Sequence, residues 1–279
     1  MNESQDFKVD YHIHTTFSDG QMAPADIVRQ AKELGFEIIA ITDHDNINGV
    51  EEAMIAGKAV DLKVIPGVEI GTEGDFEIGM HLLGYDFDLK NEEMLEFMDR
   101  LIMNRDVRNA KLLQVLEDMG YEIPPEDLDL DITNDTFLGK PIIARAMIKH
   151  GYIRNEAEAF SEKVFGSPQC RAVKKVKPRI EDGIEVINRA GGIPVLAHPI
   201  QIKGMGEPGS EEFYDNLDKL LAHLKEAGLK GLECYHPDHN EENALRFVAF
   251  AEKYHLHITR GSDFHGADYI EANRTGVYR

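Results

Sequence analysis

Cysteine is nearly absent. The 279-residue chain has two, Cys170 and Cys234, too few for a disulfide framework or a zinc ribbon, so a reduced, cytoplasmic setting is expected. Residues 1–10 lack the basic and apolar regions of an export signal. No apolar run approaches the roughly 18 residues of a spanning helix, so no membrane partner is expected. Basic charge is scarce too: 30 Lys and Arg against 51 Asp and Glu leave a formal net charge of -21. That balance argues against duplex DNA held by a basic stripe. It still permits a small anionic substrate, because bound cations can dominate a site's local field. Neither a P-loop nor a G-x-S-x-G elbow occurs, which removes nucleotide-triphosphatase and serine-hydrolase readings.

What remains is ordinary globular composition, 42% apolar and 29% charged, in a length that suits an α/β barrel of roughly 250 residues with an insertion. Residues 8–14, 37–42, 63–70 and 78–85 read as strands, with helices expected over 25–34 and 48–60. The alternation returns with strands at 193–198, 231–235 and 257–261, between helices at 184–189, 214–227 and 243–254. Seven strands in two blocks predict a parallel or mostly parallel sheet. Residues 91–182 are helical in texture, with one apolar stripe through Met94, Phe97, Met98 and Leu101 and another through Leu112, Leu113, Val115 and Leu116. Further helices are expected over 142–150 and 156–165. The expected organisation is therefore a discontinuous barrel, 1–90 and 183–279, with a helical insertion at 91–182.

Histidines and carboxylates gather where the strands end. His12 and His14 are two apart and share a strand face, as do Asp263 and His265. His44 and Glu69 close the second and third strands, His198 the fifth, while His81 lies in the fourth and Asp19 in the first loop. In parallel barrels the C-terminal mouth is where side chains from different strands converge. A mixed nitrogen and oxygen donor set suits Zn²⁺, Mn²⁺ or Fe²⁺, and nine candidates exceed what one ion takes, so two or three divalent ions are expected. A G-x-G-x-x-G match at 204–209 is set aside as a mouth loop: Pro199 and several residues separate it from its strand, and Glu207 would repel a pyrophosphate. Cys234, inside a strand, reads as core.

His12-Ile-His-Thr-Thr-Phe-Ser-Asp-Gly20, Thr42-Asp-His-Asp45, Pro66-Gly-Val-Glu-Ile70, His81-Leu-Leu-Gly-Tyr85, Ala197-His-Pro199 and Gly261-Ser-Asp-Phe-His-Gly266 follow one another in order. In this the chain resembles the polymerase and histidinol phosphatase (PHP) superfamily, and within it the phosphoesterases of nucleoside phosphates and RNA 5′ ends. The resemblance implies a distorted (β/α)7 barrel with a helical insertion. It also implies a trinuclear centre of His12, His14, Asp19, His44, Glu69, His81, His198, Asp263 and His265, with Glu69 bridging. The chain departs from the family at 166–179, where members often carry a Gly-rich, Tyr-containing stretch.

The function expected is hydrolysis of phosphate monoesters or diesters of nucleotides, or of short single-stranded RNA ends, through a metal-bound hydroxide. A histidinol-phosphate-type phosphatase, a metal amidohydrolase and a non-catalytic nucleic-acid or partner-binding protein are the alternatives. His239 or His236 is expected to assist the leaving group as general acid, with His239 also touching substrate. Arg145 and Arg171, in the insertion, are expected to grip the substrate phosphate opposite the metals.

Overall fold

A computed structural model describes residues 8–75, 78–128 and 138–274. Strands β1 (Val9–Asp10), β2 (Ile38–Ile41), β3 (Lys63–Glu73), β4 (Gly79–Tyr85), β5 (Ile193–Leu196), β6 (Gly231–Tyr235) and β7 (His257–Arg260) lie side by side in chain order. β1 to β3 are parallel, as are β5 to β7, and β4 runs antiparallel to both its neighbours. The short link between β3 and β4 explains the reversal, since a parallel crossover needs a dozen residues or more. The outer strands approach each other at one end: Tyr11 N donates to Arg260 O at 3.1 Å and His14 N to Phe264 O at 2.9 Å. The sheet is a nearly closed barrel.

Two-residue periodicity sorts its faces. Val68, Ile70, Met80, Leu82 and Leu232 turn outward into a core shared with α7 (Ile180–Arg189), α8 (Glu211–Glu226) and α9 (Glu241–Lys253). Glu69, His81 and Glu233, one position out of phase, face the interior. Helices α1 (Pro24–Glu33) and α2 (Val50–Val60) pack Ile27, Val28, Ala31 and Ala53 on Ile39 and Ile41. Pro24 at the first helical position suits α1's start, where its missing N–H has no partner to lose.

The two apolar stripes of 91–118 form one continuous helix, α3 (Glu92–Asp118), with the Asn91 side chain capping Met94 N at 3.0 Å. Its first half packs Met94, Phe97, Met98 and Leu101 into the barrel's core. Its second half packs Leu112 and Leu116 against Ile143, Ala144 and Met147 of α4 (Lys140–Lys149) in a separate core. The helix expected over 156–165 is only α5 (Glu156–Ala159), because Phe165 N–H turns back onto Ala159 O at 2.9 Å. Short α6 (Pro168–Arg171) and α10 (Tyr269–Arg274) complete the chain.

Candidate metal centre

The strands stop short so that their last residues can turn into the barrel mouth. β1 ends at Asp10, whose carboxylate accepts from His12 N and Ser262 N. β5 ends at Leu196, and His198 follows with φ 20° and ψ 64°. Asp45 (φ 49°) and Asp263 (φ 50°) are likewise left-handed, a conformation that costs non-glycine residues energy and gathers at functional sites. Two glycines of the ordered motifs are steric necessities: a Cβ on Gly20 would lie 2.4 Å from His14 O, and one on Gly261 would lie 2.1 Å from His12 Cβ.

Glu69, on β3 and 1% exposed, is the hub. Its Oε1 lies 2.9 Å from His81 Nδ1 and 2.9 Å from His198 Nε2. Oε2 lies 2.9 Å from His44 Nδ1, 3.3 Å from His14 Nε2 and 3.4 Å from His12 Nε2. Asp263 Oδ1 lies 3.3 Å from His12 Nε2 and 3.2 Å from His14 Nε2. His265 Nε2 lies 3.1 Å from Asp19 Oδ1, with the His14 and His265 rings stacked at 3.9 Å. All nine motif residues thus converge. Donor atoms cluster as His14, Asp19, His44 and His265; as His12, His14, Glu69 and Asp263; and as His44, Glu69 and His81.

The chemistry of this set fits cations. His12 Nε2, His14 Nε2, Asp19 Oδ1, Glu69 Oε2 and His198 Nδ1 are buried with no hydrogen-bond partner, a costly arrangement for polar atoms unless something else holds them. Burial opposes charge throughout, yet Glu69 and Asp19 raise His44 to about 10, and Glu233, Glu69 and Asp263 raise His12 well above the usual imidazole value. Glu69 and Asp263 are held well below the usual carboxylate range despite burial, by His44 and His81 at Glu69 and by His12 and His14 at Asp263. His81 is lowered, by burial first and by the neighbouring His44 and His198.

A second layer of carboxylates orients the ring nitrogens. Glu233 on β6, fully buried, accepts from His12 Nδ1 at 3.0 Å and from His198 N at 2.8 Å. A donor at His12 Nδ1 leaves Nε2 as the lone-pair end that faces Glu69 and Asp263. Asp43 accepts from Thr15 N, Thr15 Oγ1 and Ser18 Oγ, fixing the loop that carries Asp19. Motif reading missed Glu233, although its signal was available: Leu232 and Cys234 mark the outward face, so Glu233 must point inward. Cys234 is core, its thiol pushed up to about 12 by burial and by Glu233.

Of the two expected acids, His236 Nε2 lies 3.2 Å from Asp263 Oδ2. His239 stands further back, Nδ1 donating to Cys234 O at 3.0 Å and its ring 4.7 Å from Phe247. Burial lowers His239 to about 4, so it is neutral near pH 7. The two arginines expected to grip the phosphate, Arg145 and Arg171, make their contacts elsewhere. Arg145 is 44% exposed and 4.0 Å from Glu156, and Arg171 pairs with Glu162 at 2.7 Å on the surface. Both are turned toward carboxylates close to them in the chain. Among the described residues, cations that do come close include Lys175, bonded to Asp45, and Arg105, whose Nη1 is 3.4 Å from His44 O.

Known proteins resemble this chain along most of its length. The family model described as PHP domain matches residues 10–135. A 5′-3′ exoribonuclease of Haemophilus influenzae is 30% identical over 92% of this chain and 90% of its own length. A phosphoribosyl 1,2-cyclic phosphate 1,2-diphosphodiesterase of Eggerthella lenta is 31% identical over 92% of this chain and 94% of its own. A Bifidobacterium adolescentis structure assigned as a metal-dependent phosphoesterase superposes with a TM-score of 0.79 at 29% identity, over 92% of this chain and 87% of that one.

Proposed function

This chain belongs to the PHP family, and on that premise we propose that it is a metal-dependent phosphoesterase of nucleotides or short RNA ends. The observation that carries the proposal is Glu69, which meets five histidines while buried donor atoms around it lack partners. Three overlapping donor groups sharing Glu69, His14 and His44 support two or three divalent ions, of Mn, Fe or Zn type, with the eight motif residues in those groups as ligands and His198, 2.9 Å from Glu69, as the ninth. The separate apolar core around Leu112 and Ile143 supports a helical insertion, 91–182, within a barrel of 1–90 and 183–279.

Such cations, when bound, supply neutralisation of the phosphoryl oxygens and an activated water. The chain's own residues supply the rest. Glu233, bonded to His12 and His198, and Asp43, bonded to the loop that carries Asp19, support a site held in place by the protein itself. His236 Nδ1 accepts from Asp238 N at 3.1 Å, which leaves Nε2 as the N–H end, 3.2 Å from Asp263 Oδ2; this supports a role in holding Asp263 and in donating a hydrogen bond, rather than a proton, to a departing ribose oxygen. His239 stands behind it, the two rings 5.3 Å apart.

The test is phosphate release from nucleotide monoesters, diesters and 5′-phosphorylated short RNA by Mn²⁺-loaded protein. Turnover of one class is expected. His44→Ala should lose metal and lower kcat/KM by orders of magnitude. No release from any class, or an unimpaired His44→Ala variant, would overturn the proposal.

A further inference from the structure

Four of the nine motif residues face one another across the seam between the outer strands. His12 and His14 follow β1, Asp263 and His265 follow β7, and the Nε2 atoms of His12 and His14 lie 3.3 and 3.2 Å from Asp263 Oδ1. Backbone bonds cross this seam from Tyr11 N to Arg260 O and from His14 N to Phe264 O. Between those two bonds the ladder is interrupted. The N–H groups of His12 and Ser262 both point at one side-chain atom, Asp10 Oδ1, at 3.2 and 2.9 Å. Ser262 Oγ spans the same gap, donating to His12 O at 3.2 Å. Asp10 thus stands in for the missing ladder bond, and its position sets how far the two pairs lie apart.

The other oxygen of Asp10, Oδ2, accepts from the hydroxyl of Tyr269, 259 residues away on α10. With both oxygens engaged, Asp10 belongs to none of the donor groups found among the described residues. Tyr269 is fully buried, its ring edge-on to Phe264 at 5.0 Å, and Phe264 lies between Asp263 and His265. The N–H groups of Tyr269 and Ile270 donate to Gln30 Oε1 of α1 at 2.7 and 3.2 Å, which fixes the start of α10. A buried carboxylate oxygen is costly without its donor, so loss of the hydroxyl would shift Asp10 and both turns that hang from it. We propose that Tyr269 is a positioning residue for the metal centre: through Asp10 its hydroxyl holds the His12–His14 and Asp263–His265 turns at the spacing that shared cations require. The proposal rests on the nine residues holding cations and adds a coupling between that centre and the C-terminal helix. Linkage makes the coupling reciprocal, so cations should hold α10 in place as α10 holds them.

Tyr269→Phe in the full chain tests this, since it removes the hydroxyl and keeps the ring. Affinity for Mn²⁺, measured by competition with a chelating dye, should fall about tenfold, within the range for groups that orient metal ligands. Hydrogen exchange in the metal-free variant should quicken at the His12 and Ser262 amides, which Asp10 accepts, and stay unchanged at Thr15, which Asp43 holds. Leu112→Ala, in a separate core, is the control for a general loss of stability and should leave Mn²⁺ affinity intact. In an Asp10→Ala background the hydroxyl has no carboxylate to act through, so adding Tyr269→Phe should cost no further affinity. Wild-type affinity in Tyr269→Phe, an equal loss in Leu112→Ala, or losses that add in the double variant would each overturn the coupling alone. Wild-type protein that takes up no Mn²⁺ would sink the metal centre, and the coupling with it.

Discussion

Around Glu69 the histidines and their carboxylates set how the centre responds to pH. In metal-free protein Glu69 and Asp19 outweigh burial and raise His44 to about 10, with His12, His198 and His265 shifted the same way. A raised histidine contributes stability that is complete below about 6.5 and is lost as pH climbs through its folded value. Cations need the neutral rings, so they compete with those protons. Loading Mn²⁺ into chelator-stripped protein near pH 7 should therefore release protons, and affinity should rise between about pH 6 and 8. Titration in weak buffer measures both, and a pH-independent affinity would contradict the ligand set. Glu233→Gln keeps the shape but cannot accept from both His12 Nδ1 and His198 N, because one side becomes a donor. Metal affinity should fall roughly 10–100-fold, read by competition with a chelating dye.

At the scale of elements, periodicity located the strands but not their ends. β5 was expected to run to residue 198 and stops at Leu196 because the His198 N–H is taken by Glu233 rather than by a neighbouring strand. β1 shrinks to two residues for the same kind of reason, as Asp10 and Thr42 side chains take the N–H groups of His12 and Ile13. Competition from side chains across the barrel is invisible to a local pattern. α3 is the converse case: its stripes face two different cores, so one continuous helix reads as two. Leu112, fully buried in the second core, gives that description a test. Leu112→Ala should cost about 2–5 kcal/mol in urea denaturation while leaving metal content unchanged. A cost under about 1 kcal/mol would mean that α3 and α4 do not pack as described.

Over the whole molecule, a net charge of -21 makes the folded state self-repelling. Ligands that bind only the folded state stabilise by about 2.7 kcal/mol at a hundred times Kd. For a chain of this size that predicts a Tm fall of roughly 5–10 °C on chelation, measurable by calorimetry. An unchanged Tm would show that the cluster binds no cation in the folded protein. No helix among the described residues is long and apolar enough to cross a membrane. The sequence by itself determined the strand–helix alternation and the strand-end placement of histidines and carboxylates, because burial and metal chemistry both select residue types at short, readable spacings. Only the tertiary structure decided which charges meet. Glu233 stands 221 residues from His12, and Lys175 stands 130 from Asp45. Arg145 and Arg171 had the composition of a phosphate grip but face Glu156 and Glu162 instead. The direction of a long side chain depends on how a helix is turned against its neighbours, and that is settled by packing between distant segments.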